Sequence, residues 1–388
     1  MTPARNVTPA SRRHETGNAM PEKRKNLSDT SAVETSRRIA REARERIALI
    51  ASRLPGAGSF FRPLTEEPRK VDKLVVISDT HFGDPNELLV TPRAIEELTG
   101  AIAGMGTVDE LVLLGDIFDF WQAPFPEAIA RARDFMAALF TLENVGRMVY
   151  VVGNHDHHVF RMWYEGEVSK RLEAGDLEQP ELAIPLTSGC PAMEPLKPAG
   201  ARVPLFMSYP MHQVRVKDKV VLLTHGHLLG FYERSLWAPK RHSRFSSLML
   251  NRSDKLDLDE MEKFISPYYE MTALSTFVPG VVEGRYWIYR MVNRTSRMWG
   301  VSNDTRASFY RGTTIEENAV EIEALLNHFC AEMPDYFVYG HTHRAGRLAL
   351  PLSQAIAINS GCWVGGDSDV NARNTLVEIS DEARLIKL

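Results

Sequence analysis

From Lys73 onward the chain alternates between two kinds of apolar pattern. Leu74–Ser78, Leu111–Gly115, Met148–Gly153, Val220–Thr224 and Tyr336–Gly340 are short, mostly apolar runs with the length and composition of buried strands. Between them, apolar positions recur every three or four residues, as on one face of a helix. Thr91 reads as an N-cap with Pro92 at the first helical position. Ile95, Leu98 and Ile102 then share a face until Gly104 or Gly106 ends the helix. A second helix is expected from Pro126 to Glu143, with Ile129, Phe135, Leu139 and Leu142 turned inward. With the flanking strands this makes a βαβαβ unit, so the fold class is α/β.

The pattern is weaker elsewhere. Residues 157–205 carry many prolines and no clear period, which predicts a short helix near Trp163–Leu172 and then an irregular cap. Met211–Val216 and Val220–Thr224 flank a Lys-Asp-Lys turn and read as a hairpin. Helix is expected again over Thr314–Met333, with Ile315, Ile322, Leu325, Leu326 and Phe329 on one face. Strands are expected at Ala355–Ile358, Thr375–Ile379 and Arg384–Leu388. Residues 1–30 are polar and expected to be disordered. Ser31 and Glu34 form a capping box that would open a charged helix to about Leu54. Its apolar residues Ile47, Leu49, Ile50 and Leu54 come late, which suggests docking by the last turns. The Pro- and Gly-containing stretch from Pro55 to Pro68 reads as a linker. This divides the chain into an extension, 1–65, and one large domain, 66–388, with a cap segment at 157–215 and an insertion at 228–313.

Composition narrows the class. With 388 residues, 44% hydrophobic and 25% charged, the chain is long and apolar enough for a large core. A net charge of −4 disfavours a general nucleic-acid partner. Cys190, Cys330 and Cys362 are odd in number and widely spaced, which reads as reduced thiols and a cytoplasmic setting. No run reaches the roughly 18–20 apolar residues of a membrane span, and the N-terminus has no apolar signal-peptide core. The span from Phe231 to Arg311 holds 14 of the 34 aromatic residues, and 13 Lys or Arg against 9 Asp or Glu. Trp237, Tyr268, Tyr269, Tyr286, Trp287, Tyr289 and Trp299, interleaved with Arg285, Arg290, Arg294 and Arg297, would suit a lid over an anionic, partly apolar substrate, a peripheral lipid surface or single-stranded nucleic acid. The plainer alternative is a helical subdomain with its own aromatic core.

The chemistry lies where the strands stop. Each of the five strand-like runs ends on a side chain able to bind metal: Asp79 and His81, Asp116, Asn154, His225, and His341 with His343. In an open α/β sheet, ligands sit beyond the carboxyl ends of the strands. Asp79 and His81, two residues apart on extended chain, can point to one side. Asp116 carries two oxygens and can bridge two cations, and Asn154 offers a neutral hard oxygen suited to Mn²⁺, Mg²⁺ or Fe. Together the seven groups fit two ions about 3.5–4 Å apart.

The blocks Asp79-Thr-His81, Gly115-Asp116-Ile-Phe-Asp119, Gly153-Asn154-His155-Asp156, His225-Gly-His227 and Gly340-His341-Thr-His343 resemble those of the calcineurin-like metallophosphoesterases, in the same order. The resemblance implies a four-layer α/β/β/α sandwich, here with a large helical insertion. It implies that Asp79, His81, Asp116 and His343 hold a first metal, and that Asp116 bridges to a second held by Asn154, His225 and His341. The implied cofactors are two divalent ions, Mn²⁺ first, with Fe, Zn or Mg as alternatives. The implied reaction is hydrolysis of a phosphomonoester, phosphodiester or pyrophosphate by a metal-activated hydroxide.

His155 is placed to protonate the leaving group, with Asp119 holding it charged. His227 and Arg344 are candidate phosphate contacts, and Asp156 could orient a ligand or its loop. His157 and His158 read as local polar residues. The wording Gly115-Asp-Ile-Phe-Asp-Phe-Trp121 is similar to the branch of UDP-2,3-diacylglucosamine pyrophosphatases, which makes a lipid-linked substrate one alternative. That branch carries Arg at the place of His155 and Asp at the place of His227. A noncatalytic interaction scaffold on the same fold is the alternative of another class, although every matching position here keeps its chemistry.

Overall fold

The computed structural model describes residues 23–53, 68–178, 186–229, 258–284, 287, 313–330, 332–366 and 370–388. The α-helices among the described residues include α1 (Lys23–Arg53), α2 (Pro92–Gly104), α3 (Phe125–Arg131), α4 (Arg133–Phe140), α5 (His158–Glu173), α6 (Leu258–Leu274) and α7 (Ile315–Phe329). Strands β1 (Arg69–Val71), β7 (Met211–Val216), β8 (Lys219–Thr224), β9 (Tyr336–Tyr339), β11 (Ile356–Asn359) and β10 (Gly346–Ala349) form one sheet in that spatial order. The other sheet has the order β13 (Ala383–Lys387), β12 (Thr375–Ile379), β2 (Leu74–Ile77), β3 (Val108–Leu114), β4 (Val145–Val151), β6 (Leu205–Tyr209) and β5 (Leu186–Gly189).

The two sheets pack face to face because their central strands are apolar on both sides. Val76, Val112, Leu114, Val149 and Val151 of one sheet meet Val214, Val221, Leu223, Val338 and Ile358 of the other in a single cluster. The alternate residues Val75, Ile77, Leu111, Leu113 and Tyr150 pack outward, with Leu98 and Ile102 of α2, Phe135 and Leu139 of α4, and Phe160 of α5. On the opposite side, Leu222, Phe337, Tyr339 and Ala357 pack with Ile322 and Leu326 of α7 and with Ile39 and Ala43 of α1. The result is the expected α/β/β/α sandwich.

Several expectations change. Helix α1 begins at Lys23, so Ser31 lies inside it. A capping box is a local preference of about 1 kcal/mol and does not compel a helix to start there. Nor does α1 dock only by its last turns: Ile39 and Ala43 are buried, and Arg46 pairs with Glu321 of α7 at 2.7 Å. Leu49, Ile50 and Leu54 lie outside the residues whose side chains are described. The single helix expected from Pro126 to Glu143 is two, α3 and α4, parted at Ala132, where ψ is −4°. Beside the break Arg131 reaches Glu87, with Nε 2.7 Å from Oε1.

Residues 157–215 differ from the expected irregular cap. They supply α5, the strands β5 and β6 and most of β7, and β6 lies parallel to β4. Pro204 and Pro210 bound β6, a position proline tolerates, and that punctuation disguised the strand. Helix α2 with its Thr91 cap, the hairpin β7–β8 and the strands β11, β12 and β13 match the sequence reading. Helix α7 is capped by Thr314, with a capping box to Glu317, and ends earlier than expected, at Phe329. Residues 1–22, and Trp237, Arg285, Tyr286, Tyr289, Arg290, Arg294, Arg297 and Trp299, lie outside the described residues. No described helix is long and apolar enough to cross a membrane.

Candidate metal centre

The loops that leave β2 and β3 continue each other's pairing past the sheet. Asp79 N donates to Gly115 O at 3.1 Å, His81 N to Asp116 O at 2.9 Å, and Phe82 N to Ile117 O at 2.9 Å. Asp156 clamps the next loop to them, accepting from Gly153 N and Ile117 N, each at 2.7 Å. The loop after β9 joins through Gly340 N, which donates to His225 O at 3.0 Å, and His341 N, 3.0 Å from Asp79 Oδ1. Loops far apart in sequence are thereby tied together by backbone hydrogen bonds.

This arrangement uses unusual backbone. Asp79 (φ 53°), His81 (50°), Asp116 (50°), His341 (67°) and His343 (53°) all occupy the left-handed region. Non-glycine residues enter it at a cost, Asp and His more readily than most, and such strain concentrates at functional sites. Two glycines permit the close approach. A Cβ on Gly115 would lie 2.5 Å from His225 Nδ1, and one on Gly153 would fall on the Asp116 carboxylate.

Six of the seven expected ligands come together, and the seventh, Asn154, lies between Gly153 and His155, which both approach Asp116. Asp79, His81 and His343 offer atoms all within 4.8 Å of one another, as do Asp116, His225 and His341. His81 Nε2 lies 3.0 Å from His343 Nε2, and His343 Nε2 lies 3.2 Å from Asp79 Oδ1. Asp116 Oδ2 stands between the groups, 3.0 Å from His225 Nε2 and 3.7 Å from His81 Nε2. His225 Nδ1 donates to Leu114 O at 2.9 Å, which leaves Nε2 as the outward atom. That Nε2 is buried and too poorly aligned with Asp116 to form a hydrogen bond, and Asn154 Oδ1 is buried with no hydrogen bond at all. A buried polar atom left unpaired is costly. Two such atoms at the rim of a His and carboxylate cluster fit a divalent cation held there.

The other predicted residues surround this cluster. Asp119 divides its carboxylate between two imidazoles: Oδ1 lies 2.8 Å from His155 Nδ1 and Oδ2 lies 3.1 Å from His81 Nδ1. His155 joins His81 and Asp116 within 4.8 Å, and its backbone N donates to Asp116 Oδ1 at 2.9 Å. His227 is buried, its ring 5.7 Å from that of His225, and neither ring nitrogen has a hydrogen bond. Arg344 is half-buried and directly follows His343.

Electrostatics separate the histidines. Burial lowers the pKa of His225, His155, His341 and His227, but Asp116 outweighs it at His225, pushed up to about 9, while the carboxylates of Asp119 and Asp116 raise His155. His341 has less carboxylate help, and burial, with His225 beside it, brings it down to about 3. Burial and the same neighbour keep His227 well below its ordinary value. At Asp119 burial pushes upward, but His155 and His81 outweigh it and hold the carboxyl below its usual range.

Side chains that the sequence reading passed over complete the site. Trp121 stacks on His155 with ring centroids 4.2 Å apart, though it sits inside the quoted Gly115–Trp121 block. Ser78 Oγ bonds Asp79 and lies 2.6 Å from Ser360 Oγ. Ser360 follows β11, so the strand-end rule applied to Ile356–Asn359 would have found it. His157 and His158 both bond Glu270, a partner more than a hundred residues away that no local pattern announces.

The model of the calcineurin-like phosphoesterases matches residues 73–345 of the 388. The chain belongs to the calcineurin-like phosphoesterase family. Its matched span contains all five motif loops of the cluster. No curated protein matches this chain significantly. Among solved structures, a dimetal phosphatase from Danio rerio is 12% identical, with 83% of this chain and 99% of that one covered and a TM-score of 0.35. A predicted phosphoesterase from Streptococcus pneumoniae is 12% identical over 81% of this chain and 89% of that one, with a TM-score of 0.26. Vacuolar Protein Sorting 29 from Cryptosporidium parvum is 12% identical over 81% and 95%, with a TM-score of 0.26.

Proposed function

We propose that this calcineurin-like phosphoesterase hydrolyses a phosphomonoester, phosphodiester or pyrophosphate with two divalent ions, Mn²⁺ foremost. Asp79, His81, Asp116 and His343 would hold one, and Asp116, Asn154, His225 and His341 the other. The observation that carries the reading is Asp116 between two donor groups, with Asn154 Oδ1 and His225 Nε2 buried and lacking hydrogen bonds. When bound, such a pair supplies charge neutralisation at the phosphoryl oxygens and a more acidic water.

The rest falls to the protein. His155 gives its Nδ1 to Asp119, so Nε2 is the atom that can deliver a proton to the leaving oxygen. Asp119 raises the pKa of that imidazole and so favours its protonated form, and Trp121 limits its tilt by stacking on it. His227, neutral by its surroundings, can present an N–H to a phosphoryl oxygen, and Arg344 can add a cation at the rim.

The test is hydrolysis of bis(4-nitrophenyl) phosphate and 4-nitrophenyl phosphate by full-length protein with Mn²⁺, with binding of the metal followed separately by calorimetry. Turnover that needs added metal supports the reading. Metal binding without turnover on any phosphoester would favour the scaffold alternative, and no metal binding would remove the centre altogether.

A further inference from the structure

Helix α6, inside the long insertion, carries Tyr268, Tyr269 and Glu270 to the edge of the metal centre. The Glu270 carboxylate is divided between neighbours: Oε1 lies 3.1 Å from His157 Nδ1, and Oε2 bonds His158 Nδ1. Those histidines directly follow Asn154-His155-Asp156 in the sequence. His157 is 1% exposed and the Glu270 side chain 17%, so water competes little for the pairing. Burial pushes the Glu270 carboxyl up, but the hydrogen bonds from His157 and His158 outweigh it and hold it at about 2. The group is thus an anion over any ordinary working range.

Aromatic rings continue from that anchor to the proton donor. Tyr269 lies 5.4 Å from the His157 ring, 6.0 Å from that of His227 and 5.6 Å from Trp121. Tyr268 meets Trp121 edge-on at 6.2 Å, and Trp121 is stacked on His155. Tyr268 nevertheless keeps 57% of its surface exposed, so this face is not used up as core. A proton donor must lie within hydrogen-bond reach of the leaving oxygen. Whatever departs on that oxygen therefore sits beside His155, next to these rings.

We propose that Glu270 is a positioning residue: by spanning His157 and His158 it fixes α6 so that Trp121, Tyr268 and Tyr269 wall the leaving-group side of His155, selecting phosphoesters with a planar, apolar leaving group. This rests on the hydrolase reading and adds to it the class of group that leaves. A ring packed against such a wall gains a factor of about 3 to 10 over a group that cannot stack.

The experiment uses full-length wild type, Glu270→Ala, Glu270→Gln and Tyr268→Ala. For each, kcat and KM are measured on 4-nitrophenyl phosphate and on propyl phosphate, and hydrogen exchange is followed across residues 258–274 without metal. The ratio of kcat/KM for aryl over alkyl substrate should fall three- to tenfold in Glu270→Ala and Tyr268→Ala, mainly through KM, with Glu270→Gln between. Exchange across α6 should rise in Glu270→Ala but not in Tyr268→Ala. A ratio unchanged within twofold in both overturns the wall, and unchanged exchange in Glu270→Ala overturns the anchor. Should Glu270→Ala fail to fold, the Tyr268→Ala ratio and the exchange of Glu270→Gln decide in the same way. If wild type with Mn²⁺ hydrolyses neither of these nor bis(4-nitrophenyl) phosphate nor a pyrophosphate, the hydrolase reading falls and takes the leaving-group class with it, while turnover of the diester or pyrophosphate alone overturns only the leaving-group class; exchange still judges the anchor by itself.

Discussion

Two buried clusters of histidine and carboxylate lie in the same sandwich, and they are built on opposite terms. Glu110, on β3 six residues before Asp116, points between the sheets with Val112 and Leu114. Its Oε2 accepts from Arg147 Nε at 2.7 Å and its Oε1 meets His212 Nε2 across the gap. Both oxygens are answered, and none of the three residues has a left-handed backbone. At the candidate metal centre, beyond the end of β3, five donors are left-handed, and Asn154 Oδ1, His225 Nε2 and both ring nitrogens of His227 are buried without hydrogen bonds. Buried charge alone therefore says little about function. Strain together with donors that do not answer one another marks the place where something else is to be bound.

That contrast can be broken by experiment, and the largest effect belongs at the metal centre. Asp116→Asn should lower Mn²⁺-dependent hydrolysis about 10⁴-fold or more, since the carboxylate between both donor groups carries several kcal/mol of charge stabilisation. Survival of a tenth of the rate would exclude that role. His155→Ala should cost about a hundredfold or more in kcat while metal binding by calorimetry stays intact; loss of both together would make His155 a ligand.

The closed cluster should behave the other way round. Glu110→Ala, which strands Arg147 and His212, should cost about 3 kcal/mol in chemical unfolding with unchanged turnover where the protein is folded. A fall in turnover at full stability would count against the division drawn above. Metal should stabilise the fold through the open cluster alone: at a hundred times Kd, Mn²⁺ adds about 2.7 kcal/mol, and Asn154→Ala should shrink that gain while Glu110→Ala leaves it unchanged.

The smallest effect is one of pH. Burial pushes the Glu110 carboxyl up, but His212 and then Arg147 outweigh it, so its folded pKa lies below the ordinary 4.5. A depressed carboxyl contributes stability above pH 4.5 that is lost as pH falls through the folded value. The acid limb of the stability curve should be shallower in Glu110→Gln, and two superimposable limbs would contradict the assignment.

Much of the candidate site was legible because strand, turn and donor chemistry are local. A run such as Leu111–Gly115 specifies a buried strand, and the residue after it is placed at a sheet end whatever the rest of the chain does. The same logic found the Thr91 cap, the β7–β8 hairpin and, through motif order, the two-sheet sandwich. It failed where a local signal was overruled or absent. The box at Ser31 did not start α1, prolines hid β6, and Ala132 parted one expected helix into two. Nothing along the chain could pair Glu270 with His157 and His158, bring Trp121 over His155, or set Glu110 against His212 across the sheets. Sequence by itself determined which side chains can bind and roughly where each strand delivers them. Tertiary structure alone decided which of them meet, because hydrogen bonds and ring contacts act over a few ångströms while the partners stand tens to hundreds of residues apart.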